Sequence, residues 1–350
     1  MRECVESCAS SAIGSESEVV GNGSHNSGVS GMVTEVLADI YRMEIPLPRN
    51  PLRAINSYVV RGRDRWLGID TGMNRSECIE VMRASLKALA IDLNRTDFFI
   101  THCHSDHIGL VSALKTGASQ VFLNPLDAAV IRNPNLWGEL AGAARAHGFP
   151  DPDTAVEKHP GRKYLFSGHP EFASLREGDT LPIGKYAFRC VETPGHTPGH
   201  MCLYEPEARI LFAGDHILDT ITPNISGWDC GADPLGAFLE SLDKIATHDV
   251  RMILPGHRNL IPDPLRRIGE LKEHHRVRMQ EVITILAREE QTAYQVASRM
   301  TWNINYARWE DFPVPQKWFA TGEALSHLLH LEHAGRIKKN WEEGKALFSL

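Results

Sequence analysis

Residues 98–109 read FFITHCHSDHIG, a short apolar run followed at once by side chains that can bind a metal. The aromatic and branched residues of the run are typical of a buried strand. In an extended backbone, residues i and i+2 project to the same side, so His102 and His104 can bind one ion. Where the chain bends toward a helix near residue 107, Asp106 and His107 can face a second point. One strand end therefore predicts two neighbouring metal-binding positions.

Three later segments repeat the pattern of an apolar strand followed by a His or an Asp. They are 193–200 (TPGHTPGH), 212–215 (FAGD) and 253–257 (ILPGH). A glycine next to each candidate permits close approach of the backbone. We expect His196, Asp215 and His257 to converge with the first four candidates at one sheet edge.

The HxHxDH pattern and the later His, Asp and His, in this order, resemble the metallo-β-lactamase superfamily over about residues 33–260. The resemblance implies a fold of the α/β class, an αββα sandwich with the site at the sheet edges. It implies one metal bound by His102, His104 and His196. It implies a second metal bound by Asp106, His107 and His257, with Asp215 bridging the two.

The implied cofactors are two divalent ions per chain, which we take to be zinc. Imidazole and carboxylate ligands also suit iron or manganese. Two such ions would lower the pKa of a bridging water and supply hydroxide as the nucleophile. In this interpretation Asp106 and Asp215 are the catalytic carboxylates.

Other polar residues near these ligands are candidates for supporting roles. Asp70 matches the family position that hydrogen-bonds a ligand histidine; the alternative is an aspartate that only forms a turn. His200 and His216 are candidates for substrate contact or for support of a ligand. The run 220–225 after Asp215 is a candidate wall of the cleft, and Asn224, like Asp219, is a candidate for substrate contact. Cys103 should point to the opposite face from its histidine neighbours and pack.

Short strands alternate with helices from residue 32 to 262, as expected for a layered α/β catalytic domain. The predicted strands include 33–41, 56–60, 66–69 and 97–100, and the segment 76–89 has the periodicity of a helix. A helical insertion at 124–175 is a possible lid or a surface helix pair.

The two ends of the chain differ in character. Residues 1–31 are rich in Ser, Gly and Glu and predict a flexible tail without function. Residues 263–350 predict three helices, the second opened by a capping box at Thr292 and the third at 323–334, followed by a hairpin, the outline of a winged-helix-like domain. This segment carries 13 Lys+Arg and 12 Asp+Glu, a net charge of 13 − 12 = +1. It lacks the basic surface of a DNA reader.

Composition excludes several classes of protein. The 37 Lys+Arg against 44 Asp+Glu give a charge of −7, which disfavours nucleic acid as a partner. No stretch is long and apolar enough to suggest a membrane span, and no secretory signal is visible. Seven cysteines without a paired pattern do not suggest disulfides. We therefore expect a cytoplasmic protein with a small-molecule substrate, and a homodimer is left open.

The leading hypothesis is a dinuclear hydrolase that cleaves an ester-type bond of a small metabolite, with a thioester favoured. The resemblance to lactonases is weaker, because these usually have a tyrosine soon after the bridging aspartate and this chain has residues 216–219, HILD. β-Lactam and phosphodiester hydrolysis are further alternatives within the fold. Two different classes are a mononuclear-iron persulfide oxygenase and a DNA-binding regulator.

Overall fold

The computed structural model describes residues 33–48, 50–164, 168, 171–228, 233–303 and 306–350. The sequence-based prediction of a flexible tail at 1–31 lies outside the described residues.

The first sheet has seven strands that follow one another in chain order. Neighbouring strands are antiparallel from the first to the fourth and parallel from the fourth to the seventh. The strands are β1 (Val33–Leu37), β2 (Ile40–Pro46), β3 (Ala54–Arg61), β4 (Trp66–Ile69), β5 (Thr96–Phe99), β6 (Val121–Leu123) and β7 (Ala173–Ser174).

The prediction of one strand over 33–41 is wrong, because a tight turn divides it into β1 and β2. Asp39 has a φ of 68°, in the left-handed region that an aspartate tolerates better than most residues. Its backbone N–H donates to the Glu35 side chain across the turn. The turn folds β1 back on β2, and the period-two pattern of the sequence carries no sign of this reversal.

The second sheet has five strands in the order β12-β11-β10-β9-β8. These strands are β8 (Thr180–Ile183), β9 (Tyr186–Glu192), β10 (Met201–Glu205), β11 (Ile210–Gly214) and β12 (Met252–Pro255). Only the pair β11 and β12 is parallel, and the helix between them is the crossover that a parallel pair requires.

The two sheets pack face to face, with helices on both outer faces. Between the sheets lies a core that includes Tyr58, Phe99, Phe188 and Phe212. The outer face of the first sheet is covered by α1 (Ser76–Ala88), α2 (Ser105–Ile108) and α3 (Val111–Leu114), and that of the second by α8 (Pro234–Ala246) and α9 (Pro264–Leu286). The predicted αββα sandwich is confirmed.

The insertion and the C-terminal segment share a separate hydrophobic cluster. The insertion contains α4 (Pro125–Arg132), α5 (Leu136–Ala146), α6 (Pro152–Glu157) and α7 (Pro160–Lys163), and the C-terminal segment adds α10 (Ala293–Arg299) and α11 (Val314–His333) to α9. Ala144 and Phe149 of the insertion pack in one cluster with Trp318 and Leu328 of α11. The lid hypothesis stays a prediction, but α5 and α6 are anchored on C-terminal helices.

The C-terminal elements follow the predicted outline with one change of bounds. The capping box at Thr292 is present, and the hairpin β13 (Lys338–Glu342) and β14 (Lys345–Ser349) turns at Glu343 and Gly344. The third helix, predicted at 323–334, begins earlier, at Val314, with Pro315 in its first turn, where a proline is tolerated. This helix, which a winged helix would present to DNA, is largely buried. No helix among the described residues is long and apolar enough to cross a membrane.

Candidate metal centre

The first ligand candidates lie in a sharp connection between β5 and α2. The strand ends at Phe99, and the helix begins at Ser105 with His104 as its N-cap residue in an extended conformation. Asp106 and His107 therefore occupy the first turn of α2, where a carboxylate is favoured by the helix dipole. All four candidates of this segment are brought to the same end of the sandwich, as the spacing predicts.

Three histidines from two loops form the first group. The Nε2 atom of His102 and the Nε2 atom of His196 each lie 3.0 Å from the Nδ1 atom of His104. The nitrogen atoms of this group all lie within 4.8 Å of one another. Three imidazole nitrogens around one point are a typical ligand set for zinc.

Asp106, His107 and His257 form the second group, again with ligand atoms within 4.8 Å of one another. The Nε2 atom of His257 lies 3.5 Å from a carboxylate oxygen of Asp106. All three residues are buried. This carboxylate gives the second group a negative charge that the three-histidine group lacks.

Asp215, just past β11, lies between the two groups. One of its oxygens is 3.4 Å from His107 Nε2, and the other is 3.7 Å from His196 Nε2 and 3.5 Å from His257 Nε2. His102, His107 and Asp215 also form a group of their own within 4.8 Å. A carboxylate in this position can contact ions in both groups.

The other ring nitrogen of most ligand candidates is held by a hydrogen bond. The Nδ1–H groups of His196 and His257 donate to the carbonyl oxygens of Asn224 and Ala54, at 2.8 and 2.7 Å. His102 Nδ1 is 3.0 Å from the hydroxyl of Thr101. Such bonds select the tautomer whose free Nε2 atom points to the centre.

Asp70 has the supporting contact that the sequence suggested. Its Oδ2 atom lies 2.7 Å from His107 Nδ1, and its Oδ1 atom accepts the Thr101 backbone N–H at 2.9 Å. Asp70 has a φ of 56° and is almost completely buried. It therefore orients His107 and also fixes the backbone immediately before His102.

The two groups differ in their affinity for protons. Desolvation, together with the neighbouring histidines, lowers the pKa of His102 well below its usual range and that of His104 to about 3. Burial alone would also lower the pKa of His257, but Asp215 and Asp106 raise it to about 10. The first group thus favours neutral imidazoles, whereas the carboxylates of the second attract positive charge.

Unpartnered buried atoms indicate that the second group and Asp215 fit a divalent cation. His107 Nε2, His257 Nε2 and one oxygen of Asp215 are buried and make no hydrogen bond to a described residue. Such atoms are costly unless something compensates them. Neutral imidazoles beside buried carboxylates form a donor set that suits zinc, iron or manganese, and an ion would satisfy these atoms together.

The remaining candidates lie beside these groups. His200 is fully buried; its Nδ1 atom bonds with the Thr193 hydroxyl, and its Nε2 atom accepts the Asp215 backbone N–H at 3.2 Å. These contacts favour support of Asp215 over substrate contact. His216 is also buried, against Phe238. Cys103 belongs to none of the groups.

The two cleft candidates after Asp215 contact other parts of the chain. Asp219 accepts a hydrogen bond from Asn259. Asn224 acts through its backbone, whose carbonyl orients His196, while its side chain donates to the Phe319 carbonyl at 3.5 Å. Sequence reasoning missed the backbone acceptors at Asn224 and Ala54, because a carbonyl oxygen leaves no residue-type signal.

The chain matches a family model and two solved structures over most of its length. The model describes the metallo-beta-lactamase superfamily and matches residues 50–257. A metallo-beta-lactamase family protein from Thermus thermophilus is 27% identical with a TM-score of 0.77, over 90% of this chain and 100% of that one. A beta-lactamase domain protein from Burkholderia ambifaria is 28% identical with a TM-score of 0.77, over 91% and 94% of the two chains.

Two curated relatives have names that describe an activity. A probable metallo-hydrolase, YqjP, from Bacillus subtilis (strain 168) is 24% identical over 334 residues, which are 91% of this chain and 98% of that protein. An atrochrysone carboxyl ACP thioesterase from Emericella nidulans is 26% identical over 240 residues, 68% of this chain. The match spans 63% of that thioesterase's own length.

Proposed function

Since the chain belongs to the metallo-β-lactamase superfamily and is a metal-dependent hydrolase, we propose that it hydrolyses the thioester of a small metabolite at a dinuclear centre. The observation that carries the proposal is the convergence of seven ligand candidates from four loops, of which five are buried, His196 is half-buried and His104 is exposed. They are His102, His104, Asp106, His107, His196, Asp215 and His257.

The proposed division of roles follows from these contacts. His102, His104 and His196 would hold one ion, Asp106, His107 and His257 the other, and Asp215 would contact both. Two bound divalent ions, zinc being our first choice, supply Lewis acidity for the substrate carbonyl and a water of lowered pKa as nucleophile. The protein keeps these imidazole and carboxylate groups at fixed positions before substrate arrives.

Asp70, Asn224 and Ala54 carry out the positioning part of this mechanism. Each accepts a hydrogen from the Nδ1 atom of a ligand histidine, so the Nε2 lone pair remains directed to the centre. Ala54 and Asp70 lie at the ends of β3 and β4 and His107 lies in α2, whereas His196 and Asn224 lie in loops. Preorganisation of this kind lowers the cost of reorganisation during the reaction.

The chemistry of the leaving group favours a thioester. A thiol ionises near pH 8.5, so a thiolate can depart without a proton donor. An alkoxide is far more basic, comparable to hydroxide, and its departure benefits from a general acid. The segment 216–219 after Asp215 reads HILD and has no tyrosine to assist in that way. The resemblance to a thioesterase from Emericella nidulans agrees with this preference.

A matched substrate panel tests the proposal. We would measure kcat/KM of the zinc-loaded enzyme on a series of acyl thioesters, the oxygen esters with the same acyl groups, lactones, a β-lactam and a phosphodiester. We expect thioesters to be hydrolysed at least about tenfold faster than their oxygen esters, because a thiolate is a better leaving group than an alkoxide. The acyl group is the same in each pair, so the comparison isolates the leaving group. Asp215→Asn should lose about 10³-fold in kcat/KM, since several kcal/mol of charge stabilisation depend on the centre.

Other outcomes would identify other functions. Preference for a lactone, β-lactam or phosphodiester would reject the thioesterase and keep the dinuclear hydrolase. One iron per chain with oxygen consumption on a persulfide, and no hydrolysis, would favour the oxygenase. Strong, salt-dependent DNA binding would favour the regulator, although the buried α11 argues against it.

A further inference from the structure

We propose that Asp127 is a positioning residue that fixes the two loops of the three-histidine group relative to each other. This inference rests on the proposed metal centre. Asp127 lies in the first turn of α4, at the start of the insertion, and its side chain is completely buried. It belongs to neither group of ligand candidates.

The carboxylate of Asp127 accepts hydrogen bonds from both loops. One oxygen accepts the Cys103 backbone N–H at 2.8 Å, from the residue between His102 and His104. The same oxygen accepts the Thr197 hydroxyl at 2.8 Å, and the other accepts the Gly199 backbone N–H at 2.6 Å. Thr197 directly follows His196. One buried carboxylate is thus joined to residues adjacent to all three histidines.

The packing around Gly199 supports the same conclusion. A Cβ atom on Gly199 would lie 2.6 Å from the Asp127 backbone nitrogen and 2.8 Å from its Oδ1 atom. Only a glycine lets the loop approach this closely. The start of α4 is itself held in place, because Asn124 caps the helix by accepting the Leu126 N–H and donates to Glu192 at the end of β9.

A second link between the loops has a different effect. The Met201 backbone N–H donates to the Thr101 carbonyl at 2.9 Å. It joins the chain before His102 to the chain after His200, at the strand ends. Thr101 is next to His102, but Met201 lies five residues after His196. The bonds of Asp127 reach neighbours of all three histidines, so they determine how closely His196 approaches His104.

The test measures zinc affinity of one group at a time. In the His257→Ala background the second group lacks a ligand, so competition with a chromophoric chelator reports on the three-histidine group. Adding Asp127→Asn there should raise the zinc Kd about 10- to 100-fold, the usual effect of losing a residue that supports metal ligands. In the His104→Ala background, where the second group is intact, Asp127→Asn should change the Kd less than about twofold.

Asp97→Asn is the matched control. Asp97 is also buried and accepts hydrogen bonds from Arg65 and from the Gln120 backbone N–H, but at the opposite end of β5. We expect Asp97→Asn and Asp127→Asn to lower the Tm of the metal-free protein by similar amounts, with only Asp127→Asn weakening zinc binding to the three-histidine group. Thr197→Val removes a single donor to the same carboxylate, and it should raise that Kd in the same direction.

Several results would overturn the inference. A zinc Kd in Asp127→Asn that rises no more than in Asp97→Asn would reject the positioning role while leaving the proposed function intact. An equal loss of affinity in both backgrounds would show a general effect on structure and would reject it as well. If Asp127→Asn does not fold, an unchanged Kd in Thr197→Val rejects the role. A wild-type protein that binds no metal overturns both this inference and the proposed function.

Discussion

Asp70 and Asp127 are two buried aspartates next to the proposed ligands, and they differ in what their sequence context reveals. Asp70 lies in the segment LGIDTG after a strand, where the resemblance to the family implied hydrogen bonding with a ligand histidine. Asp127 lies among LNPLDAA, where an acidic residue after a proline indicates only the first turn of a helix. Its three donors come from residues about 24 and 70 positions away, and no local pattern encodes such contacts.

The ligand candidates themselves were predictable because they depend on local geometry. The i, i+2 spacing pointed to His102 and His104 as a pair, although both lie beyond the end of β5, and each later candidate follows the end of a strand in the same domain. The backbone carbonyls that orient His196 and His257 were not predictable, since any residue type supplies the same oxygen. The sequence therefore reveals the metal-binding side chains better than it reveals the backbone groups that orient them.

Replacement of Asp70 by asparagine should impair the centre without abolishing the fold. Asparagine tolerates the positive φ of this position, but its amide cannot stabilise the same His107 tautomer as strongly. We expect zinc affinity of the Asp106, His107 and His257 group to fall about 10- to 100-fold, measured by chelator competition. Unchanged affinity would mean that Asp70 only shapes the turn after β4.

At the scale of secondary-structure elements, α9 and α11 are joined by a buried pair of histidines. His275 Nδ1 lies 3.1 Å from His327 Nε2, and the Nδ1–H of His327 donates to the Glu323 carbonyl at 2.7 Å. Phe238 of α8 packs against His275 with ring centroids 5.4 Å apart. Burial, with repulsion from Arg278 and the neighbouring histidines, lowers the pKa of His275 to about 2 and that of His327 to about 3.

This pair should make the protein less stable in mild acid. The folded pKa values lie below the unfolded value of about 6.5, so the unfolded state binds more protons between pH 6.5 and 3. The stability contribution is complete above pH 6.5 and is lost as the pH falls. His327→Gln removes one such group. Between pH 6 and 5, the free energy of unfolding, measured with urea, should therefore decrease by about 1 kcal/mol less in the variant than in the wild type. Equal slopes for wild type and variant would contradict this account.

The bounds of elements were less predictable than their existence. The periodicity of 76–89 predicted a helix that is present within one residue. The single strand expected at 33–41 is two strands, because one left-handed residue, Asp39, reverses the chain. The early start of α11 at Val314 depends on packing against the hydrophobic cluster it shares with the insertion, and that packing involves residues distant in sequence.

At the scale of the whole molecule, the insertion and the C-terminal segment are parts of one packed structure. The sequence suggested a helical insertion at 124–175 within the catalytic domain and a C-terminal domain at 263–350. The structure buries Ala144 and Phe149 of the first against Trp318 and Leu328 of the second. α9 also packs on the second sheet, where Ile268 and Leu271 join the cluster beneath α8.

This shared packing predicts that the chain unfolds in a single transition. Five of the seven tryptophans, Trp137, Trp228, Trp302, Trp309 and Trp318, lie in or against the shared cluster, so fluorescence reports mainly on it. We expect urea transitions followed by tryptophan fluorescence, far-UV circular dichroism and release of zinc to a chromophoric chelator to coincide within about 0.3 M. A fluorescence transition at clearly lower urea than zinc release would identify the C-terminal segment as an independent unit.

The most direct test of the central claim is the number of zinc ions per chain in the wild type, in His104→Ala and in His257→Ala, measured together with thioester hydrolysis. We expect two ions in the wild type and one in each variant. We also expect a loss of about 10³-fold in kcat/KM in both variants, because hydrolysis requires the complete centre. The dinuclear hydrolase would be contradicted if the wild type binds one zinc ion per chain and His257→Ala changes neither this number nor the rate of thioester hydrolysis.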